Sequence, residues 1–121
     1  MLTTKEMLEK VLDDLKEAVE VEASAIISRD GLLMASDISG DIRAELFAAM
    51  SATMLGAAET ATSELWKGVP SQIIVELKKG KVIAYGAGPK AILVTITPQK
   101  AELSPILVEM EKAADKIKGL L

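Results

Sequence analysis

Three short stretches of the chain are apolar at consecutive rather than alternate positions: Ile26-Ile27, Ile73-Ile74-Val75 and Ile92-Leu93-Val94. A β-strand points successive side chains to opposite faces, so such runs demand a sheet that is covered on both sides. Glycine-bearing turns punctuate them: Arg29-Asp30-Gly31, Lys79-Gly80 and Gly88-Pro89-Lys90. Asp-Gly between two apolar runs is a hairpin signal, because these residues tolerate positive φ. The spacing predicts strands over Ala23–Ser28, Leu32–Ser36, Ser71–Lys78, Lys81–Ala87 and Ala91–Thr97. Connections this short make neighbouring strands antiparallel.

The segments between the strands supply the covering layers. Thr3 and Glu6 have capping-box spacing, and Met7, Leu8, Val11, Leu12, Leu15 and Val19 recur at helical intervals, which predicts a helix over 4–19. Ser39-Gly40-Asp41 supplies a turn and an N-cap for a helix over 42–66, closed by Gly68 and Pro70. Ser104 as N-cap and Pro105 at the first helical position open a last helix that Gly119 closes. The order is α-β-β-α-β-β-β-α: an α/β chain of the α+β type, a five-stranded antiparallel sheet sandwiched by three helices. Two helices belong on one face and one on the other. No linker, repeat or low-complexity stretch divides the chain, so residues 1–121 read as one domain.

The middle helix carries the functional signal. At 100° per residue, Phe47, Met50, Met54, Ala61 and Leu65 share one side, which reads as the core stripe. The opposite side holds Ala48, Ala49, Ala52 and Gly56, with Glu45 and Glu59 as its charges. Small residues four apart let a second helix approach closely. A helix-interior glycine costs about 1 kcal/mol against alanine, which a partner would offset. The alternative is a plain alanine-rich surface. Pro70 suits the start of an edge strand, and an edge bearing Ile73, Ile74 and Val75 invites pairing with its own copy. Lys78, Lys79 and Lys81 serve equally as charges that keep such an edge from sticking.

Composition bounds the chemistry. Half of the residues are apolar, yet there is one Phe, one Trp and one Tyr, so the core is aliphatic. A mean hydropathy of +0.30 is high for a small domain and suits a second buried surface. A net charge of −4, with no Lys/Arg run longer than Lys78-Lys79, argues against nucleic acid. Leu46 to Ala58, the longest apolar stretch, is too short to span a bilayer, and no signal peptide opens the chain. The expected setting is cytoplasmic. Few heat-labile residues beside abundant Lys and Glu suit a thermophilic source.

Cysteine and histidine are absent, which leaves no thiolate, no imidazole base and no zinc-thiolate site. There is no phosphate-binding G-x-x-x-x-G-K-[ST] loop and no Ser-x-x-Lys. Gly86-Ala87-Gly88 lies between strands and reads as a turn, and Asp13-Asp14 as solvated carboxylates. No catalytic, cofactor or metal residues are expected, and the chain is not expected to be an enzyme.

The hairpin Ser28-Arg29-Asp30-Gly31-Leu32-Leu33-Met34-Ala35-Ser36, the helix Phe47-Ala48-Ala49-Met50-Ser51-Ala52, the stretch Ala57-Ala58-Glu59 and the meander from Ile73 through Gly80 and Gly88 to Leu93-Val94 together resemble the roadblock/dynein light chain family. The likeness spans nearly the whole chain, as a compact single-domain member of archaeal or bacterial type. It implies a roadblock, profilin-like fold that dimerises through the middle helix and third strand into a ten-stranded sheet. It also implies a scaffold or regulator for small Ras-like GTPases, such as the bacterial polarity regulators of the Mgl type, with no dynein partner expected.

The resulting expectations are a homodimer built on Ala48, Ala49, Ala52, Gly56, Glu59, Ile73, Ile74 and Val75, with Arg43, Glu45, Leu55 and Trp66 offered to a partner. That partner is a small Ras-like GTPase. The alternative is a purely structural assembly module, and an enzyme or small-molecule sensor on a profilin-like scaffold ranks last. Arg29 and Arg43 are the only arginines available as fingers, and both read as surface charges.

Overall fold

The computed structural model describes residues 1–121 as α1 (Thr4–Ala18), β1 (Ala23–Ser28), β2 (Leu33–Asp37), α2 (Ala44–Thr62), a 3₁₀ turn (Ser63–Leu65), β3 (Gln72–Leu77), β4 (Gly80–Gly86), β5 (Ala91–Thr97) and α3 (Leu103–Leu120). The five strands form one antiparallel sheet in the order β2-β1-β5-β4-β3. The central strand β5 and its neighbour β1 are the strands with near-continuous burial.

The sequence explains the ends of α1. Thr3 Oγ1 accepts from the Glu6 N–H, and the Glu6 carboxylate accepts from the Thr3 N–H, both at 3.1 Å. The backbone bond from Thr3, then the bond from its side chain, hold the Glu6 carboxyl below its ordinary value. The other two helices depart from expectation. α2 begins at Ala44 with Arg43 as an N-cap that makes no side-chain bond, so Asp41 does not cap it. α3 begins one residue before Ser104 and runs through Gly119 rather than stopping there.

Packing divides the core into two layers. On one face, Leu8, Leu12 and Leu15 of α1 and Ile106, Met110 and Ile117 of α3 close over Ile26, Ile83 and Leu93. Each of these fully buried aliphatic side chains contributes about 1.5–3 kcal/mol. On the other face, α2 alone sets Ala48, Ala52 and Leu55 against Ala25, Ile27, Ala84, Ile92 and Val94. Alanines on both the helix and the strands bring helix and sheet close together.

This orientation corrects the expected face of α2. Ala48, Ala52 and Leu55 are 1%, 7% and 0% exposed and belong to the core. Met50 and Leu65, assigned to the core, are 52% and 57% exposed. The helix is apolar nearly all round, so the large side chains can face outward while small ones nest on the sheet.

Candidate functional site

The outer surface of α2, the segment that follows it and the open edge of β3 each expose apolar side chains. Leu46 and Met50 protrude from the helix, and Leu65, Trp66 and Val69 follow it, all of them exposed. Trp66, 92% exposed, ends the 3₁₀ turn in the left-handed region at φ 55°, the one non-glycine residue with positive φ. Beside the helix, β3 lies at the end of the sheet and pairs only with β4. Alternation puts Ile73, Val75 and Leu77 on the α2 side of that strand, with Ile73 packed at the margin of the α2 core. Ile74 points to the opposite layer.

One flank of α2 is occupied. A Cβ built on Gly31, whose φ is +88°, would stand 3.0 Å from the Ala49 Cα, so the β1–β2 turn nests directly on the helix. Arg29 locks the same flank. Its Nη1 donates to both Glu59 carboxylate oxygens at 3.1 and 3.0 Å, while Nε and Nη2 donate to the Gly88 carbonyl at 3.2 and 2.9 Å. Arg29 is thus a clamp between two turns and a helix rather than a surface charge, and Glu59 is its counter-ion. At 100° per residue, Phe47, Met54, Ala58 and Ala61 occupy the opposite flank; Phe47 packs at the margin of the α2 core, Met54 and Ala58 are half-buried, and Ala61 is exposed.

The expected site residues therefore separate. Ala48, Ala52 and Leu55 are core, and Ala49 and Glu59 are engaged by the hairpin turn. Gly56 is partly exposed with open space where a Cβ would stand. Ile73 and Val75 sit at the sheet edge on the α2 side. Arg43, Glu45 and Trp66 are exposed. Leu46 and Val69 lie outside the expected set, and an exposed apolar residue flanking a helix end leaves no periodic signal by which to find it. No three carboxylate side chains gather at one point. No helix is long and apolar enough to cross a membrane.

The family profile of the Roadblock/LC7 domain matches residues 7–97. The chain belongs to this family. Two proteins of Methanocaldococcus jannaschii are 37% and 36% identical to this Roadblock/LC7 chain over 114 residues, 94% of its length and 99% of theirs. Among solved structures, Myxococcus xanthus MglB superposes with a TM-score of 0.89 at 17% identity, covering 100% of this chain and 95% of MglB. The gliding protein MglB of Thermus thermophilus gives 0.89 at 15% identity over 99% and 92% of the two chains. A profilin of Schizosaccharomyces pombe gives 0.70 at 16% identity, covering 93% of this chain and 98% of the profilin. The Roadblock/LC7 and profilin folds share this sheet and its flanking helices.

Proposed function

We propose that this Roadblock/LC7 chain is a homodimeric, non-enzymatic adaptor that binds and regulates a small Ras-like GTPase. The single observation that carries the dimer is the exposure of apolar side chains on α2 and β3. Leu46 and Met50 on the helix are 46% and 52% exposed, and Leu77 on the edge strand is 51% exposed. An isolated small domain gains nothing from exposing such a surface, whereas a second copy buries it and satisfies the free edge of β3. Self-association also accords with the description of one neighbour as MglB with a tetrameric arrangement.

The GTPase partner rests on membership of the family and on likeness to MglB. A dimer would present two copies of each exposed end of α2, with Glu45 at the start and Trp66 at the finish. The chain carries no built catalytic centre, so its effect on a GTPase would come from positioning the partner's own groups.

Two measurements test this reading. Sedimentation should give twice the 12.8 kDa chain mass. The host's Ras-like GTPase should then bind the dimer and hydrolyse GTP at an altered rate. A monomer would refute the first half. A dimer that neither binds the GTPase nor changes its rate, while retaining a non-GTPase subunit through purification, would establish the structural module instead.

A further inference from the structure

The twofold pairing proposed above leaves open which residues meet, and the surface of α2 specifies them. Sheet continuation through β3 with both α2 helices on the same face requires a twofold axis perpendicular to the sheet. That axis reverses every in-plane direction, so the two α2 helices run antiparallel. The contacting flank is the one bearing Met54, because Gly31 and Arg29 occupy the other. Along it, large side chains lie in the N-terminal half (Phe47, Met50) and small ones in the C-terminal half (Ala58, Ala61). An axis at Met54 sets Met50 of one subunit opposite Ala58 of the other, and Phe47 opposite Ala61, so that each projection meets a hollow.

The charges agree with the same arrangement. Arg43 begins α2 and Glu64 follows its end; both are exposed, and neither has an ion-pair partner within the chain. Antiparallel packing brings the Arg43 end of one helix to the Glu64 end of the other, twice per dimer. We infer that Arg43 and Glu64 form the self-recognition pair of the dimer, one at each end of a helix seam centred on Met54. This rests on the dimer reading, and the following experiments separate the two.

Arg43→Glu places like charges at both ends of its homodimer, and so does Glu64→Arg. A mixture of the two variants restores opposite charges at both ends. Each variant alone should dimerise about tenfold more weakly than wild type at low salt, less so at high salt, and the mixture should form a heterodimer of wild-type strength. A structural defect in either variant would not be rescued by the other. The chain has no cysteine, so a single Met54→Cys should link to its own copy under mild oxidation. Ala61→Cys should not, because its copy lies about 21 Å away along the helix axis at 1.5 Å per residue. A dimer without charge preference, or one in which Ala61→Cys links and Met54→Cys does not, overturns the register and leaves the dimer standing. A wild-type monomer overturns both.

Discussion

The Arg29 guanidinium and the Glu59 carboxylate, 30 positions apart in the chain, face each other through two bonds of 3.1 and 3.0 Å. Both side chains are a little over a quarter exposed, at 28% and 29%, so solvent screens the pair only in part. Removal of either partner strands the other at the foot of α2. Arg29→Ala and Glu59→Ala should each lower unfolding free energy by about 1–2 kcal/mol in urea titration. Arg29→Lys should not recover the loss, since one ammonium cannot serve the carboxylate and the Gly88 carbonyl together.

Two glycines on α2 or against it should respond in opposite directions. Gly31→Ala puts a methyl 3.0 Å from the Ala49 Cα on a backbone with φ +88°. It should cost about 2 kcal/mol, read as a lowered melting temperature. Gly56 has open space around it and ordinary helical geometry, so Gly56→Ala should stabilise the fold by about 1 kcal/mol. A loss at Gly56 would mean that a second helix does approach there.

Met50→Glu separates folding from association. The side chain is 52% exposed and outside the core, so the circular dichroism spectrum and the stability of the isolated chain should stay within about 0.5 kcal/mol of wild type. The sedimenting mass should fall to 12.8 kDa. A dimer of unchanged strength would remove the outer face of α2 from the interface.

Trp66 combines strain with exposure, at φ 55° and 92% exposed. Trp66→Gly should relieve the left-handed backbone and raise stability by about 1 kcal/mol, read as a raised melting temperature. As the single tryptophan, it also reports on whatever covers it: its fluorescence should shift to the blue when a protein partner binds the C-terminal end of α2.

The sheet and the order of elements were legible in the sequence because the signals were local. Consecutive apolar residues at Ile26-Ile27 and Ile92-Leu93-Val94 mark strands covered on both faces, and Thr3 with Glu6 marks the start of α1. The orientation of α2 was not legible. Its amphipathicity is weak, and the choice between Phe47-Met50-Met54 and Ala48-Ala52-Leu55 as the buried stripe depends on the depth of the groove offered by Ala25 and Ala84, residues distant in sequence. The Arg29–Glu59 clamp was hidden for the same reason, since a charged residue in a turn looks like solvent-facing polarity until the fold brings its counter-ion alongside.

The two margins of the sheet are unequal. β3 pairs with β4 residue for residue, without a bulge, and carries apolar side chains toward α2. β2 is five residues long, its pairing with β1 skips Met34, and Asp37 at its end is held by Lys16 at 3.3 Å. A bulged, charged, short margin is a poor template for another strand. In the proposed dimer, one receptive margin and one blunted margin would admit a single neighbour and no more. Edge pairing of that kind would be self-limiting, whereas a β3-like strand on both sides would nucleate an open-ended fibre.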